Sequence, residues 1–314
     1  MSNAAVAATV ITCSGLGSFA LTALARRALL HFGILDVPNE RSSHRRPIVR
    51  GAGIAIAVAW VAGSLVVLAT HGWPAASVSL VVMATMLAAL GLCDDAWQLS
   101  PLLRLAAQTV ICGAASATGL GIERLNLPLG IHVQLGAWGL IVSAFWLVAF
   151  VNIFNFMDGI DGLAAGQTVV AAATVAVGAL IMGASTLALV ASCLAAAAFG
   201  FLPFNWSPAH CFMGDAGSYF CGGTYGGLLL LGEADHLVVG MAVLAAAPFL
   251  LDAIVTFLRR LVHMERVWLP HRGHYYQRLA MGRGHRLIAS WYLVGGLILG
   301  ALWLAGVEWH VVFN

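Results

Sequence analysis

The chain reads as an all-α integral membrane protein with about ten transmembrane helices. Hydrophobic residues form 61% of it and Asp, Glu, Lys and Arg only 9%, where a soluble domain carries about a quarter charged residues. Mean hydropathy is +0.92, so a single polytopic domain over residues 1–314 is expected, with no soluble domain attached. Apolar runs recur at the ~20-residue length that spans a hydrocarbon core. Backbone groups cannot stay unpaired in lipid, so each run is expected to be a helix.

In order, the expected spans are residues 4–30, 51–70, 76–93, 102–120, 135–151, 166–182, 186–204, 219–231, 237–258 and 287–307. The first is too long for a cleaved leader and lacks a basic start, so no cleavable signal is expected. Pro38 and Pro47 keep the loop after it, DVPNERSSHRRPIVR, from being helical. That loop is either a solvated basic segment or an anion-attracting rim, since Gly51 and Gly53 allow close backbone approach. Before the fourth span, Ser100 is the expected N-cap and Pro101 the first helical residue. The fifth and eighth spans are short, so their ends must extend into the polar motifs beside them. Ala- and Gly-rich helices suit close packing in lipid. Cys13, Cys93, Cys112, Cys193, Cys211 and Cys221 read as small buried hydrophobes without metal spacing.

There is no lysine, so arginine sets the orientation. With these spans, every arginine but Arg124 falls on one side, which marks that side as cytoplasmic and both termini as periplasmic. The net charge of +2 hides this asymmetry, and no nucleic-acid partner is expected.

The charged clusters fall on the same side, because the chain crosses between them an even number of times. Asp94 and Asp95 end the third span; adjacent carboxylates repel, and a raised pKa would suit a base or a metal contact. Arg104 either snorkels to the interface or serves the same chemistry. Asn152, Asn155, Asp158 and Asp161 leave the fifth span at intervals of three, in NIFNFMDGIDG. Hard oxygen donors suit magnesium, which binds one or two protein ligands plus waters and substrate phosphates. Asp158 or Asp161 could instead cap the next helix. Asn205 and FMGDAGS follow the seventh span; Asp215 opens the eighth as a cap or as part of an anion-favouring helix start, and Phe212 could stack on a base. His271, Arg272 and His274 better fit diphosphate oxygens than zinc. Asp252, seven and eight residues before Arg259 and Arg260, is expected to form an internal ion pair.

The order DD, NxxNxxDGxDGL, FMGDxGS and PHRxHxYQR resembles the glycosyltransferase-4 superfamily of polyprenyl-phosphate sugar-1-phosphate transferases, the group of the MraY and WecA enzymes. The PNERSSH loop and HRGHYYQR ending look most similar to O-antigen-initiating, WbpL-type members. The resemblance implies transfer of a sugar 1-phosphate from a UDP-N-acetylhexosamine (GlcNAc, FucNAc or QuiNAc type) to undecaprenyl phosphate at the bacterial inner membrane. It implies Mg2+, with Mn2+ as a substitute, held by Asn155 and Asp215. Asp94 and Asp95 would activate the lipid phosphate, and Asp158 and Asp161 would line the nucleotide site. Asn205 and Phe212 would contact uracil; His271, Arg272 and His274 would grip the diphosphate and sugar. Relatives also suggest a homodimer. Ala52 interrupts a glycine run common in such relatives, and the paired aspartates lack a third acidic neighbour. The HRGH loop departs from the muramoyl-pentapeptide transferase pattern. A secondary transporter is the rival class, but its carboxylates should lie near the bilayer midplane.

Overall fold

The computed structural model describes residues 3–36, 47–127, 131–234, 243–265 and 272–313. Its helices are α1 (Asn3–His31), α2 (Ile54–His71), α3 (Ala75–Trp97), α4 (Pro101–Ala115), α5 (Trp138–Met157), α6 (Leu163–Ile181), α7 (Ser185–Asn205), α8 (Gly214–Ala234), α9 (Ala247–Val262), α10 (Tyr275–Arg283) and α11 (His285–Phe313). Two antiparallel hairpins join them: β1 (Leu35–Asp36) with β2 (Ile48–Val49), and β3 (Arg124–Leu127) with β4 (Ile131–Gln134). Among the described residues, α1, α2, α3, α5, α6, α7 and α11 are each long and apolar enough to cross a bilayer. The protein is a multi-span, all-α membrane protein.

Helix α8 is the centre, and every residue from Met213 to Glu233 is buried. It packs against α3 and α5, while α6 and α7 pair beside it and α1 and α2 close around α7. Its glycines make this possible. A Cβ on Gly222 would lie 2.5 Å from Phe150 O of α5, and one on Gly223 would lie 2.2 Å from Leu87 Cδ1 of α3. Without a hydrophobic drive between helices in lipid, such close backbone approach supplies dispersion contact. Two indoles pair with backbone across the bundle: Trp60 Nε1 donates to Val190 O at 3.0 Å and Trp146 Nε1 to Gly226 O at 3.1 Å.

Several elements depart from the expected boundaries. Helix α3 runs one turn further than expected and takes Asp94 and Asp95 into its last turn, ending at left-handed Gln98. Helix α5 starts at Trp138 because β4 pairs with β3 and Leu135 N donates to Glu123 O at 2.8 Å. It then reaches Met157, and α8 starts at Gly214, so both short spans extend into their motifs as anticipated. Ser100 caps α4 by accepting from Leu103 N at 3.3 Å, with Pro101 first in the helix. The last turn of that span, Ser116–Leu120, widens into a π-helix. The start of the expected ninth span lies outside the described residues; a 3₁₀ turn at Val243–Ala246 leads into α9. The polar stretch after α9 contains α10, which was not expected.

Helix α3 and the first turn of α8 meet in close backbone contact. A Cβ on Gly91 would sit 2.3 Å from Asp215 O and 2.5 Å from Ala216 Cα, and neither backbone atom can give way alone. Gly91→Ala is therefore expected to destabilise the protein by about 1–3 kcal/mol, the usual cost of overpacking. A thermal melt in detergent checks this, and an unchanged midpoint contradicts the packing described.

Candidate active site

The odd-numbered helices α3, α5 and α7 end where the even-numbered α2, α6 and α8 begin. Polar groups distant in sequence meet there. The Asp95 carboxylate accepts from two free N–H groups of the α8 start, Asp215 N on Oδ1 and Ala216 N on Oδ2, each at 3.0 Å. The cap of α8 thus comes from α3, not from Asp215. Arg50 joins the pair, with Nε 3.0 Å from Asp95 Oδ1 and Nη2 2.7 Å from Asp215 Oδ2. Burial works against the guanidinium charge, but Asp215, Asp95, Asp36 and Asp158 outweigh it and raise the Arg50 pKa. The arginine is held in place because its strand docks on the segment that precedes α8. Phe212 N donates to Val49 O at 2.7 Å, Ala52 N to Phe212 O at 3.2 Å and Gly53 N to Met213 O at 3.0 Å. Gly214, at φ +73, lets that segment turn directly over Gly51.

Asp215 shows its other oxygen to α5. Asn155 Nδ2 donates to Asp215 Oδ1 at 2.7 Å and to Ser218 Oγ at 3.1 Å. Asn152 turns away, donating to Gln108 Oε1 of α4 at 2.7 Å. Asp94 is buried one turn from the junction and fully engaged. It accepts from Leu99 N at 2.9 Å, Arg104 Nη1 at 3.1 Å and Tyr219 OH at 2.6 Å. Arg104 is therefore the ion-pair partner of Asp94 and not only a snorkelling side chain.

The two aspartates of the loop between α5 and α6 differ sharply. Asp158 accepts no side-chain hydrogen bond among the described residues and keeps part of its surface open. Burial of the rest pushes its carboxyl well above the usual carboxylate range, with Asp215, Asp95 and Asp161 adding to the effect and Arg50 opposing it. Asp161 is nearly enclosed, with Ala209 N at 3.2 Å from Oδ2 and His285 Nδ1 at 3.1 Å from Oδ1. Burial alone would raise its pKa, but hydrogen bonds from His285, Ala209 and Ser207 hold it below the usual range. Neither aspartate caps α6, which starts at left-handed Gly162 without a side-chain cap. Asn205 is buried and fixes the same loop, accepting from Gly162 N at 3.1 Å and donating to Cys211 O at 3.1 Å. Phe212 is half-buried between Asn205 and Asp215 in sequence, its backbone in the strand pairing described.

The ion pair expected between Asp252 and Arg259 or Arg260 is not formed. Asp252 instead caps α10. Its carboxylate accepts from Tyr275 N at 2.9 Å, Tyr276 N at 2.8 Å, Thr256 Oγ1 at 3.2 Å and Tyr292 OH at 2.6 Å, with His274 Nδ1 3.5 Å away. Arg260 Nε donates to Glu265 Oε2 at 2.7 Å. Tyr276 OH donates to Phe156 O at 2.9 Å and lies where a Gly159 Cβ would be, so α10 lands on the loop that carries Asp158. His274 is buried in this joint and Arg272 is half-buried two residues before it; His271 lies outside the described residues. The importance of Arg50, Tyr219, Tyr276 and His285 was not apparent from sequence. Arg50 was visible only as one of several loop arginines, and a tyrosine beside an apolar helix carries no distinguishing spacing.

Among the described residues no three His, Cys, Asp or Glu side chains gather as a metal cluster. A magnesium site does not require one, since the ion keeps waters and uses substrate phosphates. Asn155 and Asp215 fit such a site. They are an amide and a carboxylate side by side, joined by the Asn155 Nδ2 hydrogen bond to Asp215 Oδ1 at 2.7 Å, and oxygen donors of this kind are what such an ion takes. Turning the Asn155 amide would present its oxygen there.

Fold and site define a polytopic membrane protein with a carboxylate, amide and guanidinium centre at one end of its helix bundle. The chain belongs to glycosyl transferase family 4, which it matches over residues 77–233. It is 31% identical over 284 residues to a probable undecaprenyl-phosphate N-acetylglucosaminyl 1-phosphate transferase of Bacillus subtilis, covering 88% of this chain and 78% of that one. A decaprenyl-phosphate N-acetylglucosaminephosphotransferase of Mycolicibacterium smegmatis is 29% identical over 89% of this chain and 77% of its own. A phospho-N-acetylmuramoyl-pentapeptide-transferase of Listeria monocytogenes is 29% identical over a shorter stretch, 57% of this chain and 55% of its own.

The α10 cap offers a direct check. Hydrogen bonds to a charged acceptor contribute about 1.5–3 kcal/mol, so Asp252→Asn should speed amide exchange at Tyr275 and Tyr276 by about tenfold or more. Hydrogen–deuterium exchange of the intact protein reads this, and unchanged protection would deny the capping role.

Proposed function

We propose that this protein transfers the sugar 1-phosphate of a UDP-N-acetylhexosamine to undecaprenyl phosphate, releasing UMP. The convergence of Arg50, Asp95, Asn155 and Asp215 at one end of the bundle carries this reading. Relatives named as polyprenyl-phosphate N-acetylglucosamine 1-phosphate transferases, aligned over most of the chain, support it. The sugar is of the GlcNAc, FucNAc or QuiNAc type, and the product starts O-antigen or other cell-envelope polysaccharide synthesis. The site faces the cytoplasm of a bacterial inner membrane, and a homodimer is the proposed assembly.

An oxygen of the lipid phosphate attacks the β-phosphorus of the nucleotide sugar. The new bond completes a lipid diphospho-sugar, and the bond from the β-phosphorus to the bridging oxygen breaks as UMP departs. Such transfers depend on alignment and charge neutralisation. A bound Mg2+, with Mn2+ as substitute, would neutralise diphosphate charge, held by Asn155 and Asp215. Asp94 and Asp95 orient the end of α3, where the lipid phosphate enters. Asp158 stands open toward the reacting groups, while Asp161 and Asn205 shape the nucleotide side with Phe212. By resemblance, the HRGH motif supplies the grip on the diphosphate and sugar, through Arg272 with His271 and His274.

The ten-span topology rests on the seven long apolar helices plus three further crossings. These are α4 with its π turn, α8, and the 3₁₀ turn with α9. Both termini then lie in the periplasm, opposite the arginine-rich loops. Alkaline phosphatase fused at either end should be active; an inactive fusion at one end alone would contradict the even count.

Purified protein with Mg2+, undecaprenyl phosphate and a panel of UDP-N-acetylhexosamines should release UMP with one of the donors. Excess UMP should drive labelled lipid product back to UDP-sugar, because one diphosphate linkage replaces another. Asp215→Asn should lose turnover by roughly 100-fold or more while staying folded, on the scale of lost transition-state charge stabilisation. Substantial residual activity would remove Asp215 from the metal role. A transporter would move solute without lipid acceptor or metal, and no release under any donor would favour that class.

A further inference from the structure

The two oxygens of Asp215 face different partners. Oδ1 meets the Asn155 amide at 2.7 Å, and Oδ2 meets Arg50 Nη2 at 2.7 Å. Arg50 Nε reaches across to Asp95 Oδ1 at 3.0 Å, so one guanidinium fills the space between two carboxylates. We propose that Arg50 is a positioning residue: a resident cation that closes the Asp95–Asp215 gap to divalent metal and confines the metal to the Asn155 side of Asp215. The assignment rests on the metal-dependent transfer proposed above.

The physical argument is one of competition for a doubly acidic gap. Two carboxylates on one guanidinium repel each other unless one takes a proton or a cation lies between them. If Arg50 did not supply it, a divalent ion would bind more strongly than a monovalent one, since attraction scales with charge. An ion lodged between Asp95 and Asp215 would lie away from Asn155. It would also draw Asp95 from the two N–H groups that it caps at the start of α8. Arginine suits the task because its planar fork holds two carboxylates at once and never gives up its proton. The side chain remains 42% exposed, yet its backbone is fixed by the Val49, Ala52 and Gly53 pairings to the chain ahead of α8. It is therefore built into the site rather than carried on a free loop tip.

Mn2+ binding by the full-length protein in detergent, without substrate and read by electron paramagnetic resonance, tests this. Wild type should take up one ion per chain. Arg50→Gln should bind a second ion or bind the first at least about tenfold more tightly, the scale on which groups around a metal shift its affinity. UMP release should fall in the same variant. Arg50→Lys, which keeps the charge but not the fork, should bind Mn2+ less tightly than Arg50→Gln. Asp215→Asn should abolish binding. Equal or weaker Mn2+ binding by Arg50→Gln overturns the proposal; Arg50→Ala carries the same test, so the result does not depend on one variant folding. A wild-type protein that binds no Mn2+ either alone or with a UDP-N-acetylhexosamine present overturns the metal-dependent reading itself and the confinement with it.

Discussion

The hydrogen bonds from Asp215 N and Ala216 N to the Asp95 carboxylate are the constraint on which the rest of the structure depends. The start of any helix leaves N–H groups unpaired and a partial positive charge exposed. In α8 that start is buried among other helix ends at one end of the bundle, where an unpaired donor is costly. A carboxylate from α3 supplies the missing acceptors and brings its charge to the positive end of α8. This arrangement is possible because Gly91 lets the two helices approach within backbone contact. Arg50 then offsets the negative charge that Asp95 and Asp215 together accumulate.

The same device recurs at the periphery of the site. Asp252 satisfies two N–H groups at the start of α10, and Asp161 accepts from the Ala209 N–H beyond α7 while meeting His285 at the start of α11. Asn205 ties the turn before α6 to the segment that follows α7. Carboxylates that look equivalent in the sequence thus separate into two groups. Asp94, Asp95, Asp161 and Asp252 are taken up by hydrogen bonds that shape the bundle end. Asp158 accepts no side-chain hydrogen bond among the described residues, and Asp215 Oδ1 takes one from the Asn155 amide. A site of this kind needs both groups, because placement of reacting phosphates within a few tenths of an ångström depends on a rigid surround.

Location at the helix ends also suits the chemistry proposed. A water-soluble nucleotide sugar and a phosphate on a lipid tail share only the boundary between water and hydrocarbon. Charged side chains there avoid the cost of the bilayer centre, and the buried ones are paired.

Much of the architecture was legible in the sequence, because hydropathy and the need to pair every backbone group leave helices as the only solution for long apolar runs. The capping of α4 by Ser100, the extension of α5 and α8 into their motifs and the clustering of DD, NxxN and GDxGS all followed from local composition and spacing. The sequence could not show which partner each carboxylate would take. Asp252 was expected to reach arginines on its own helix, yet it caps α10, because the direction of a side chain depends on which neighbouring helix start lies within reach. Arg50 looked like one basic loop residue among several until strand pairing beside Cys211 and Phe212 set it between Asp95 and Asp215. Sequence determines which groups must be buried and which must emerge, through transfer energies that act residue by residue; tertiary structure alone decides pairings, because these depend on distances between segments that are more than a hundred residues apart in the chain.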